Sequence, residues 1–138
     1  LDGFSDHIPG VNSESHNLSH HLGREDKLRE LKNLELAEFQ QLNALLTKLR
    51  ASKEGGETLL DRTQVLYGSN LGNGNNHDNK NLPIVLAGGG WKHGQHLAFD
   101  KTNNHPLPNL FVSMLQRLGI ETEKFASSTG TIKGLAAI

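Results

Sequence analysis

The chain of 138 residues carries 14 Lys and Arg against 15 Asp and Glu, with eight histidines and no cysteine. So even a balance leaves no basic field to hold a phosphate backbone, which disfavours nucleic acid as a partner. The lack of cysteine excludes disulfides, thiolate metal sites and a cysteine nucleophile. At this length one hydrophobic core is expected, and no window approaches the roughly 18 apolar residues of a membrane span.

Leu1 to Arg24 is rich in Ser, His, Asn and Gly without an apolar period, and reads as an irregular lead-in continuing something larger. From Glu25 to Lys53, Leu28, Leu31, Leu34, Phe39, Leu42, Leu45, Leu46 and Leu49 recur at three- and four-residue intervals between charged and amide residues. This spacing predicts one long amphipathic helix of about 43 Å. Gly55-Gly56 is expected to stop it, and its apolar side to cover one face of a sheet.

Thr63 to Tyr67 is a short β-branched and aromatic run that predicts a buried strand. Leu82 to Ala87 predicts a second, with Pro83 at its start or on an edge. A short strand is expected at His96 to Phe99. Pro108 then opens a last helix whose Leu110, Phe111, Met114, Leu115 and Leu118 are expected to face the core, with Gly119 ending it. The fold class is α/β: residues 1–138 form a single domain or the C-terminal part of a larger one, with 1–24 irregular and 25–138 the α/β unit.

Between the two strands lie the fifteen residues Gly68 to Leu82, almost wholly Gly, Asn, Asp, Lys and His. Structureless loops of that length are uncommon in compact domains unless they are functional or disordered, so this is the primary candidate for a site. Asn73-Gly74 marks a tight turn inside it. The glycine clusters GSNLGNG and GGGWKHG fit neither a dinucleotide fingerprint nor a phosphate loop. Asn17-Leu18-Ser19 fits a glycosylation sequon, a triplet too common to carry weight.

The histidines fall into groups: His7 and His16 in the lead-in, His20-His21 before the long helix, His77 in the loop, and His93, His96 and His105 later. Imidazoles from several loops can assemble a metal site. His20 or His21 near a helix start and His77 at a strand end would meet at one edge of a sheet, where open α/β folds place their ligands. Asp78 can orient the His77 imidazole or ligate directly, while Ser69 and Asn70 stand where the first strand gives way to loop. Unrelated polar histidines have this same spacing. No Ser, His and acid triad can be read from sequence, because a triad is defined by geometry.

SHH at 19–21, the long helix, LLDRTQVLYGSNLGNGNNHDNKNLPIVLAGGG at 59–90, GQHLAF at 94–99 and FASSTGTIKGL at 125–135 carry a resemblance over nearly the whole chain. The chain resembles the C-terminal portion of a planctomycete-type exported family, domain of unknown function 1552. That family is distantly similar to the alkaline phosphatase and sulfatase superfamily. The resemblance implies a partial alkaline-phosphatase-like three-layer sandwich, export to the periplasm or beyond, and an N-terminal half of the same protein that supplies the nucleophile and carboxylates. It implies a divalent metal, Zn or Ca, with His20, His21, His77, Asn70 and Asp78 as candidate ligands. In the superfamily the strand ends in Ser-Asp-His-Gly or Ser-Asp-Asn-Gly. Here Ser69-Asn70-Leu71-Gly72 puts an amide at the aspartate position and a leucine at the next ligand position. The implied function is a phosphate- or sulfate-ester hydrolase with a rebuilt or degenerate metal site; the alternative is a non-catalytic ligand- or partner-binding protein on the same fold.

Overall fold

The computed structural model describes residues 7–138. The element order is α1 (Ser15–Ser19), α2 (Glu25–Ala51), β1 (Lys53–Glu54), β2 (Glu57–Thr58), α3 (Leu59–Arg62), β3 (Gln64–Gly68), β4 (Ile84–Gly88) and α4 (Pro108–Arg117). The protein is mixed α/β, with two small antiparallel sheets. No helix among the described residues is long and apolar enough to cross a membrane. The chain divides into two compact units, Leu1–Ala51 with Ser69–Pro83, and Ser52–Gly68 with Ile84–Ile138.

In the first unit α2 forms as its three-and-four spacing requires. Glu25 and Asp26 in its first turn and Lys48 and Arg50 in its last complement the helix dipole. The lead-in is not wholly irregular: residues 1–6 lie outside the described residues, but 15–19 form α1. A core of Val11, Leu18 and Leu34, flanked by Ile8 and Leu31, joins the two helices. Leu18 is fully buried, a burial worth about 1.5–3 kcal/mol. Lys27, in the first turns of α2, donates to the Asn17 carbonyl at 3.0 Å and the His20 carbonyl at 3.2 Å, closing the C-terminal end of α1. Farther along α2 burial is partial: Leu36, Phe39 and Leu45 are about half exposed, while Leu42, Leu46 and Leu49 are half-buried.

The second unit is built around the ladder of β3 and β4, paired from Gln64↔Gly88 to Gly68↔Ile84. The Thr63–Tyr67 run is expected to be buried, yet β3 is only half-buried, since a two-stranded ribbon has no neighbouring strand to enclose it. Gly55-Gly56 does not end α2, which stops at Ala51. Both glycines have positive φ, 61° and 92°, and form the two-residue turn of the β1–β2 hairpin. Thr58 and Asp61 form a reciprocal capping box at the start of α3. Trp91 is buried and its indole N–H donates to Gln64 Oε1 at 2.9 Å.

Two expectations fail here. Residues 96–99 form no strand; Leu97 and Phe99 do turn inward and His96 and Ala98 outward, but their side chains pack on loop and tail, Leu97 beside Gly134 and Phe99 edge-on against His105. Leu118 does not face a core: it is 63% exposed, and the buried face of α4 is Asn109, Leu110, Val112 and Ser113. Polar side chains turn that face to the C-terminal tail. Asn109 Oδ1 accepts the Thr129 N–H at 2.8 Å and Ser113 Oγ accepts the Ile132 N–H at 3.1 Å.

Candidate metal centre

The segment between β3 and β4 is long but not structureless. Its base is closed by the Ser69 N–H donating to the Pro83 carbonyl at 3.3 Å. Its middle is pinched by a bridge between Asn73 and Asp78, with Asp78 N–H donating to the Asn73 carbonyl at 3.0 Å and Gly72 N–H to the Asp78 carbonyl at 2.8 Å. The amide and carboxylate side chains fold the rest. Asn73 Oδ1 accepts the Asn75 N–H, Asn76 Oδ1 accepts the Asp78 N–H, and Asp78 Oδ1 accepts the Lys80 N–H. Each is an Asx turn, the physical reason for a sequence so rich in Asn and Asp. Gly72 is obligatory, because a Cβ there would overlap the Lys80 carbonyl oxygen.

This loop presents His77 with φ of 57°. Left-handed backbone costs a non-glycine residue about 1–2 kcal/mol. The surrounding Asx turns hold it there.

Helix α1 supplies the other two imidazoles. His16 and His20 are four residues apart, so they share one side of the helical turn, with Leu18 about 200° around from His16. Burying Leu18 in the core therefore turns His16 and His20 outward together. The turn continues through His20, whose N–H donates to the His16 carbonyl at 3.4 Å. The loop lies against this side: a Cβ on Gly74 would stand 3.2 Å from Ser19 Cβ.

The ring centroids of His20 and His77 are 4.7 Å apart, those of His16 and His20 4.8 Å, and those of His16 and His77 5.9 Å. One nitrogen from each ring lies within 4.8 Å of the others. His20 is half-buried, while His16 and His77 are exposed. His20 Nδ1 is 3.0 Å from the Asn75 carbonyl oxygen. A carbonyl has no proton to give, so Nδ1–H is the donor and the neutral ring keeps its lone pair on Nε2. A backbone oxygen fixing the tautomer in this way is the usual outer support of a metal-ligating histidine. Asn75 is itself held on α1's side by its Oδ1, which accepts the Leu22 N–H at 3.0 Å.

Of the residues singled out in the sequence, His20 and His77 are brought together. His21 is engaged elsewhere, its Nδ1 accepting the Gly23 N–H at 3.1 Å within the turn leading to α2. Asp78 shapes the loop through its backbone and Oδ1 and does not belong to the three-imidazole group. Asn70 is exposed where β3 ends, beside Ser69, whose Oγ accepts the Leu71 N–H. His16 lies in the lead-in with His20 and is not among the ligands assigned from the sequence. The signal that would have found it is the spacing His-x-x-x-His at 16–20, the same spacing that sets two histidines on one helix face in helical zinc motifs.

No family model, curated protein or solved structure matches the chain.

Proposed function

We propose that this chain is a metal-binding α/β unit with its centre at His16, His20 and His77. It acts within an exported hydrolase of phosphate or sulfate esters, on a fold of the alkaline-phosphatase-like sandwich type. The single observation that carries the metal reading is the convergence of three ring nitrogens within 4.8 Å. The donor set fits: three imidazoles, one of them tautomerically fixed by Asn75, on two independently anchored segments. A bound divalent ion would supply the polarisation of an ester oxygen and the activation of water. The chain's own contribution is to hold and orient the ligands: α1 aims His16 and His20, and the Asx-turn loop delivers His77. The ester chemistry rests on the sequence resemblance.

A second reading is a non-catalytic protein of the same fold that binds a ligand or partner through the loop. The imidazole group includes no carboxylate to serve as a general acid or base, which favours it, and on the sequence resemblance Asn70 and Leu71 fall where the superfamily carries ligands. Metal analysis of the full-length protein with a panel of phosphate and sulfate esters separates the two. Hydrolysis that disappears in His77→Gly supports the enzyme; no turnover on any ester supports the binding protein; no retained metal contradicts the metal centre and with it the enzyme.

A further inference from the structure

We infer that the centre, taken as the metal site proposed above, selects a borderline transition ion of the Zn²⁺ class against Ca²⁺ and Mg²⁺, and keeps a solvent-facing coordination position for an oxyanion. The selection follows from the donors. Imidazole nitrogen suits Zn²⁺, Co²⁺, Ni²⁺ and Cu²⁺, whereas Ca²⁺ takes six to eight oxygens. The oxygens nearest in sequence are committed elsewhere. Asn73 Oδ1, Asn76 Oδ1 and Asp78 Oδ1 each accept a backbone N–H within the loop, Asn75 Oδ1 accepts the Leu22 N–H, and the Asp78 carboxylate does not join the imidazole group. Recruiting them for Ca²⁺ would dismantle the loop that presents His77.

The open position follows from the ligand count and from exposure. Three protein ligands leave a tetrahedral ion one place short, the arrangement of catalytic zinc sites. A tetrahedral ion with bonds of about 2.0–2.1 Å needs its nitrogens about 3.4 Å apart. His20 is fixed by Asn75, so rotation of the exposed His16 and His77 rings closes the group, and their exposed side is where the remaining position faces. Three neutral imidazoles leave the ion's double positive charge uncompensated, and the Lys27 ammonium, whose three donors go to Asn17 Oδ1 and the Asn17 and His20 carbonyls, adds positive charge nearby without a bond to spare. Phosphate or sulfate oxygen is the ligand such a charge attracts.

The test is a Co²⁺ titration of the whole chain followed by its visible bands, with CaCl₂, inorganic phosphate and sodium sulfate added in turn. The expected result is one tetrahedral Co²⁺ per chain, displaced by ZnCl₂, untouched by excess CaCl₂, with bands that shift on adding phosphate or sulfate. His16→Ala, on an exposed helical position, and His77→Gly, which suits the left-handed backbone, should each weaken Co²⁺ on the order of 100-fold or more, since even outer-shell losses cost about 10–100-fold. Absence of Co²⁺ binding, or binding indifferent to both variants, overturns the metal reading itself. Displacement by Ca²⁺ at comparable concentration overturns the selectivity alone, and bands unmoved by either anion overturn the open position alone.

Discussion

Two stretches of this protein share a composition and differ in what their histidines do. Residues 69–83 and residues 88–105 are both rich in glycine and polar side chains, and both carry histidine. In the second stretch the rings are dispersed: His93 Nε2 lies 2.9 Å from the Gly88 carbonyl, His105 packs edge-on against Phe99 at 4.9 Å, and His96 is exposed. In the first, His77 meets His16 and His20. What separates them is anchoring on both sides. Helix α1 is fixed from behind by Leu18, and the loop is fixed from within by its Asx turns, so the imidazoles are held facing one another. Histidine content alone predicts nothing; two braced segments bring three imidazoles together.

The largest break in that comparison should come from removing the brace behind α1. Leu18→Ala takes a fully buried side chain from a small core and should cost about 2–5 kcal/mol in the first unit. Chemical denaturation should show this, together with loss of Zn²⁺ binding, because His16 and His20 are aimed by the burial of Leu18. Removing a ligand should be milder on the fold and sharper on the metal. His16→Ala should weaken Zn²⁺ by isothermal titration on the order of 100-fold or more, while His96→Ala should leave affinity unchanged; equal effects would erase the distinction between the two stretches.

A smaller effect is expected from the outer support. Asn75→Ala removes the acceptor for the Leu22 N–H while keeping the backbone carbonyl that fixes His20. Zn²⁺ affinity should fall about 10-fold, within the range of outer-shell losses, and Asn75→Asp, which keeps an acceptor oxygen, should recover it. Asn75→Leu, of similar volume but without an acceptor, should not recover it; recovery there would reduce Asn75 to a packing role.

The smallest effect lies on α2. Glu35 has its carboxyl pushed above the usual value of 4.5 by partial burial and then by the neighbouring Glu38 charge. A raised carboxyl favours the protonated native state, so its stabilising contribution is present in acid and is lost as pH rises from 4.5 through the raised value. Glu35→Gln should therefore give a small rise in Tm at neutral pH that vanishes below 4.5. Because Glu35 is largely exposed, solvent screening keeps the effect minor.

Much of the architecture was legible in the residues. The leucine spacing of α2, the runs that become β3 and β4, and Pro108 at the start of α4 are local signals strong enough to survive tertiary context. The signals that misled were those needing a partner. Residues 96–99 alternate as a strand should but pair with none, and Gly55-Gly56 reads equally as a helix stop or a hairpin turn until the flanking strands are seen. Two of the three imidazoles were legible too, His77 and, as one of the pair His20 or His21, His20. His16 was not, because α1 is one turn long and its apolar pattern reduces to Leu18; a single buried leucine has no period. The choice of His20 over His21 depends on the Asn75 carbonyl, a contact across 55 residues that no local pattern encodes.

The central claim is that His16, His20 and His77 are one metal centre. Anomalous diffraction at the zinc edge from a Zn²⁺-soaked crystal of this chain tests it directly. The account predicts a single strong peak bonded to all three imidazoles; a peak at His93, His96 or His105 instead, or none between α1 and the loop, would contradict it.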